Sequence, residues 1–485
     1  MLTNSTRRAV GHRPLRRPAA YFSARLASSS SSPTRTQKLA AWSAGLRYDD
    51  LPPVVVQKTK DFFLDWYACA IGGRHHAAVQ AIDTFAKEMG PTSGSAELLH
   101  RPGGTSAAFA ALVNGGASHV VEQDDLHNSS MVHPATVVFP AALAVAQATG
   151  ANGKDLITAS VAGYDVACRI GAFLGPSHYA KFHTTATAGI YGAAAASAHL
   201  LKLDAAQTLS ALGTAGTQAA GLWQFLVDAT HGKQVHTAKA GFDGVLAAYT
   251  AKAGLLGTAD VLEGVNGMAV SMVPGKSTPE ALDNNLGGEY SITESSFKWH
   301  ASCRHTHGSA DGLLQLMKEH NLSAADIEKV NCHVYAAALD VLGRTVGAPQ
   351  TIHQSKFSMG FVLAVVAHRG RATVLDFTEE ALSDAELDAF RQRVNMILDP
   401  EIEAVFPEKW QARVVVTTKS GQVYEQFVES AKGDPDQSLT QEELEEKSQR
   451  IAEYAGVKDM AALEKTFARV WKLENETDLT GFTIV

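Results

Sequence analysis

Cysteine is scarce: four residues in 485, Cys69, Cys168, Cys303 and Cys332, far apart and with no CxxC pair. That spacing supports neither a disulfide framework nor a zinc site and suits a reduced compartment. No run of 18 apolar residues occurs, so no membrane span is expected. Aromatic residues are only 7% of the chain, while Ala and Gly are abundant, which favours closely packed helices. The Walker loop, GxGxxG fingerprint, GxSxG elbow and HExxH pair are all missing, which removes nucleotide, nicotinamide, serine-hydrolase and zincin readings. Acidic residues are absent from the first 48 positions, which hold nine Lys or Arg. The net charge of −8 therefore leaves −17 on the remainder. So acidic a body argues against a nucleic-acid partner, because phosphate binding needs clustered cations, but it allows a locally basic pocket.

Residues 1–35 interleave Arg7, Arg8, Arg13, Arg16, Arg17 and Arg25 with Leu, Ala, Tyr and Phe, ahead of Ser28–Ser32. Arg-rich, Ser-rich and acid-free composition predicts a mitochondrial targeting segment. A length of 485 residues leads us to expect two domains. Residues 36–290 read as a large helical domain: Pro52-Pro53 opens a helix, and Ala-rich runs at 135–148, 156–172, 187–201, 205–219 and 238–256 follow. Residues 291–432 read as a smaller α+β lid. Ile327–Val334 alternates as a strand, Arg413–Thr418 and Gln422–Val428 form a hairpin about Lys419-Ser420-Gly421, and helices are predicted near 305–319, 355–368 and 383–396. Thr440 with Glu443 makes a capping box, and residues 433–485 are expected to return as helices to the first domain. The fold class is thus mainly α with a smaller α+β domain.

The densest chemistry lies between Asn114 and Pro140, where His119, Glu122, Asp124, Asp125, His127 and His133 fall within fifteen residues. Burying them demands pairing with each other or with a ligand. His127 and His133 lack the i, i+4 spacing of a helical metal pair, so no metal site is assigned; Asp124-Asp125 could equally cap a helix. His183 precedes a Gly/Ala-rich helix. Lys233, His236 and Lys239 share one helical face, whether solvated or lining a cleft. Lys298 and Arg304 bracket Cys303, close to His305 and His307, as a carboxylate-gripping group would. Cys303 has no nucleophile context. Together these clusters suggest a cationic, imidazole-rich pocket for a small polycarboxylic acid.

Six ordered blocks carry a resemblance: LPPVVVQKTKDFFLDWYACAIGG, VNGGASHVVEQDDLHNSSMVHP, KFHTTATAGIYGAAAASAHLLKL, KQVHTAKAGFDG, FKWHASCRHTH and KGDPDQSLTQEELEEK. From about Thr36 to the end the chain resembles the MmgE/PrpD lyases, which include 2-methylcitrate dehydratase and cis-aconitate decarboxylase. The resemblance implies a helical domain with an α+β lid, a homodimer, and no metal or organic cofactor. It implies catalytic roles for His133, His183 and Lys298, with Asp125 orienting an imidazole. Substrate contacts would come from Glu122, Lys233, Lys239, Cys303, Arg304 and His307. Against the family's decarboxylases, Glu122 and Leu126 replace Asp and Thr beside the aspartate pair, Phe242 stands where a second site lysine is expected, and Cys303 replaces a lid histidine. The resemblance therefore implies dehydration of 2-methylcitrate or a related alkylcitrate. Decarboxylation of cis-aconitate to itaconate is the alternative, and a catalytically silent helical dimer a second one.

Overall fold

The computed structural model describes residues 32–344 and 347–484. The targeting segment expected over residues 1–35 lies almost wholly outside them. The principal helices of the large domain are α1 (Arg35–Gly45), α2 (Pro53–Gly72), α3 (Ala107–Ser118), α4 (Ala135–Thr149), α5 (Gly153–Tyr179), α6 (Gly189–Leu200), α7 (Ala205–Gly216) and α8 (Gly232–Lys252). Pro53 occupies the first turn of α2, where its missing N–H costs nothing. Packing is governed by small side chains. A Cβ added to Gly163 of α5 would lie 2.9 Å from the carbonyl oxygen of Gly192 in α6, so only glycine permits that crossing. Phe63, Trp66 and Phe139 fill the centre of the core, with Phe63 edge-on to Phe139 at 5.4 Å. By length and composition α5 could cross a membrane, yet 89% of its apolar window is buried here, as befits a core helix.

The lid carries α9 (His307–Glu319), α10 (Met359–Arg369) and a four-stranded sheet of β1 (Ile327–Val334), β2 (Val394–Leu398), β3 (Ala412–Thr418) and β4 (Val423–Val428) in the order β2-β1-β3-β4. β2 runs parallel to β1, and β3 antiparallel to both β1 and β4. The hairpin turns at Gly421, whose φ of +84° suits glycine alone. β2 corrects the sequence reading, which placed one helix over 383–396. The helix there ends at Arg391, and Val394–Leu398 pairs instead as an edge strand with no buried alternating face to announce it. The last long helix, α11 (Gln441–Tyr454), starts at the Thr440–Glu443 capping box and puts Leu444 into the core of the helical domain. The lid thus sits between two segments that belong to the large domain.

Candidate active site

The chain leaves α3 at His119 and winds through buried residues until α4 begins at Ala135. Asp125 ties this segment down. Its carboxyl accepts the Ala135 N–H at 3.0 Å and the Tyr164 hydroxyl at 2.8 Å, and burial pushes its pKa well above the usual carboxylate range. The carboxyl thus caps α4 rather than orienting an imidazole, which corrects the role expected for it. The Asp125 backbone takes that role: His133 Nδ1 donates to its carbonyl oxygen at 2.5 Å. A neutral His133 therefore offers Nε2 as its free ring nitrogen.

The neighbouring Asp124 is the carboxylate among the histidines. Its Oδ2 lies 2.6 Å from His119 Nδ1 and 3.4 Å from His133 Nδ1. Burial would favour its protonated form, but the two imidazoles override that and hold it ionised. The ligating atoms of His119, Asp124 and His133 lie within 4.8 Å of one another. The 2.6 Å contact is a charge-assisted hydrogen bond, closer than two donors on one ion would stand. His183 faces His119 in a stacked pair at 5.7 Å, and its Nδ1 meets His236 Nδ1 at 3.2 Å. Burial, reinforced at His133 by Lys298 and at His183 by His236, keeps both rings well below the usual histidine range and so neutral.

Glu122 builds the cationic half. Fully buried, it binds the Lys233 ammonium through one oxygen and that of Lys298, at 3.2 Å, through the other. Burial would favour its neutral form, but the two lysines hold its carboxyl well below the normal range. Burial would likewise lower Lys298, yet Glu122 and Asp124 keep it raised. Glu122, His133, His183, Lys233, Lys298, Cys303 and Arg304 all line one narrow cavity, with about 20 Å³ of room for a water-sized sphere. Ligand pockets typically offer hundreds of Å³, so in this conformation the cavity is too small for a tricarboxylate.

The structure separates the remaining expected residues. Lys239 is half-exposed, bound to Asp243 and to the Gln218 carbonyl oxygen, and does not line the cavity. His307 lies behind the cavity wall: its Nδ1 accepts from Arg304 Nη1 at 3.0 Å and its Nε2 meets the Ser302 carbonyl oxygen at 3.3 Å. His305, two residues earlier, is the lid imidazole that reaches the cavity. Arg304 is already paired with Asp434. Burial pushes the Cys303 thiol up to about 11, so it is a wall rather than a nucleophile. Phe242 lies in an outer groove against Phe109 at 5.4 Å; the second lysine of the site is Lys233, nine positions earlier. Sequence reasoning gave no role to His119 and read Asp124 only together with Asp125. Their only signal was the density of charge around them, which cannot tell one aspartate of a pair from the next.

Models of known families match both parts of the chain: the MmgE/PrpD N-terminal domain over residues 37–281 and the MmgE/PrpD C-terminal domain over residues 300–473. The chain belongs to the MmgE/PrpD family. Among similar proteins, a cis-aconitate decarboxylase-like protein of Aspergillus oryzae is 27% identical over 92% of this chain and 95% of its own length. The cis-aconitate decarboxylase of Aspergillus terreus is 26% identical over 71% and 74%. That of Homo sapiens is 25% identical over 85% and 86%. Lys298 lies in the interval between the two matches and Arg304 just inside the second, so the cavity draws on both domains.

Proposed function

We propose that this protein is a cofactor-independent lyase for a small tricarboxylate, and that it decarboxylates cis-aconitate to itaconate. One observation carries the reading: across a single cavity, two buried ammonium groups sharing Glu122 face an imidazole backed by Asp124. The names of the relatives favour decarboxylation over dehydration of 2-methylcitrate, which the same groups could also serve.

In this reaction the bond between the substrate's methylene carbon and its carboxylate breaks, and CO2 leaves. The bonding pair forms a new C=C, and the old double bond's electrons move to the former alkene CH. Charge spreads onto the carboxylate attached there until a proton arrives at that carbon. Fixed cations in a water-poor site stabilise such charge strongly, the role assigned to Lys233 and Lys298. A substrate carboxylate would join Glu122 on these ammonium groups, accepting from the N–H donors that Glu122 leaves free. His133 is assigned as the proton donor, through Nε2. Its Nδ1–H stays on the Asp125 carbonyl, and Asp124 compensates the imidazolium that forms once a trianionic substrate raises the ring's proton affinity. His183 has a histidine behind it instead of a carboxylate, and is assigned to hold the substrate.

The test is a mass-resolved product assay on purified protein given cis-aconitate, 2-methylcitrate and citrate separately. Loss of CO2 from cis-aconitate is expected. Loss of water from either citrate would make the protein a dehydratase, and no turnover of any of the three would refute the tricarboxylate lyase reading. Homodimer formation and mitochondrial import belong to the same proposal, checked by sedimentation and by import of the full chain into isolated mitochondria.

A further inference from the structure

Glu122 has a left-handed backbone, with φ of +58°, a conformation that costs energy for any residue with a side chain. The carbonyl groups on either side of it are both held by buried lysines that do not line the cavity. Lys356, from the lid, donates to the Val121 carbonyl oxygen at 2.9 Å. Lys447, from α11, donates to the Gln123 carbonyl oxygen at 2.7 Å and to Asp65 at 2.5 Å. Lys356 also fixes the opposite wall, since its own carbonyl accepts the Cys303 N–H at 2.9 Å. The next residue, Phe357, packs its ring 5.1 Å from the Lys233 ammonium. Burying an ammonium on a backbone carbonyl is expensive, and packing alone would not call for two of them flanking one strained residue. Lys447 also closes the block KGDPDQSLTQEELEEK, far in sequence from every cavity residue.

We propose that Lys356 and Lys447 are positioning residues, a brace with one end in the lid and one in the C-terminal helix that holds Glu122 strained so that its carboxylate fixes Lys233 and Lys298 for a tricarboxylate. The inference rests on the reading of those two lysines as the substrate's carboxylate grip. Acting through Glu122, the brace loses its effect on affinity once Glu122 can no longer bridge the lysines.

The experiment uses the full chain and two variants, Lys356→Met and the pair Asp65→Asn with Lys447→Met, which avoids stranding a buried carboxylate. Binding of tricarballylate, an unreactive tricarboxylate, is measured by calorimetry with and without Glu122→Gln; amide exchange over residues 120–126 is followed in parallel. Each brace variant is expected to bind at least ten-fold more weakly, to change affinity by less than about two-fold when Glu122→Gln is already present, and to exchange faster over 120–126 while α5 is unchanged. Unchanged exchange in both variants, or affinity losses that multiply with that of Glu122→Gln, would overturn the brace. If the unmodified protein does not bind tricarballylate, the tricarboxylate reading fails, and exchange alone decides the brace: faster supports it, unchanged overturns it.

Discussion

Two stretches of this chain hold three histidines each, and the structure uses them in opposite ways. Between 119 and 133, the rings of His119 and His133 gather on one ionised aspartate, and His133 keeps a nitrogen for the cavity. Between 300 and 307 the imidazoles are satisfied by protein: His300 by Asp311 at 2.9 Å, His305 by the Tyr335 hydroxyl at 2.8 Å and a stacked Trp410 at 4.6 Å, and His307 by Arg304 at 3.0 Å. What separates a chemical cluster from a structural one is whether a ring nitrogen is left facing open space with a countercharge behind it.

Replacing His133 by Gln tests the chemical side and should have the largest effect. It removes the titratable nitrogen while keeping polarity, so turnover should fall by about 10²–10⁴-fold with the melting temperature little changed. Turnover within about three-fold of the unmodified protein would remove His133 from the reaction.

His307→Gln tests the structural side. The Arg304–His307 contact is buried, and disturbing it should cost roughly 1–3 kcal/mol of stability by urea unfolding. Turnover per folded molecule should stay within a few-fold. A hundred-fold loss at unchanged stability would make the two stretches alike and break the comparison.

How far these roles could be read from sequence follows from the same contrast. Helices with Ala-rich repeats, the alternating β1 and β3, and the Thr440 cap are local patterns, and they were legible. β2 was not, because a half-exposed edge strand has no face to bury. In the site, His133, His183, Glu122 and Lys298 stood out by residue type, and the structure brings them to one cavity. Asp124 takes the duty expected of Asp125, because it is the carboxyl of Asp124 that meets the imidazoles while that of Asp125 meets Tyr164. Lys233 and Lys239 were expected on one helical face, but six residues at about 100° each leave them about 120° apart around α8, so Lys233 turns into the cavity and Lys239 toward solvent.

Acid should expose the structural cluster. Burial holds His305 at about 3, and His353 elsewhere in the lid at about 4, both below the unfolded value near 6.5. Below pH 6.5 the unfolded chain therefore binds more protons than the folded one, and stability falls with pH. Each such ring contributes a loss of about 2 kcal/mol by pH 5. Asp65 and Asp165, raised by burial to about 6 and about 7, act with the opposite sign and offset part of this. The melting temperature should drop between pH 7 and 5, and His305→Gln should flatten the slope; an unaltered slope would show that this imidazole is not held neutral.

The smallest expected effect is the most discriminating for sequence reasoning. Lys239 lies six residues beyond Lys233 on the same helix, and composition alone would grant both the same role. In the structure, Lys233 is buried on Glu122, while Lys239 is half-exposed and pairs with Asp243 four residues on. Such surface pairs are worth about 0.3–0.5 kcal/mol and weaken in salt. Lys239→Met should therefore leave kcat/KM within about two-fold and stability within about 0.5 kcal/mol, whereas Lys233→Met should raise KM by at least ten-fold. Equal losses from the two substitutions would mean that the working enzyme draws Lys239 inward when substrate binds, and that the cavity of the closed protein is only part of the site.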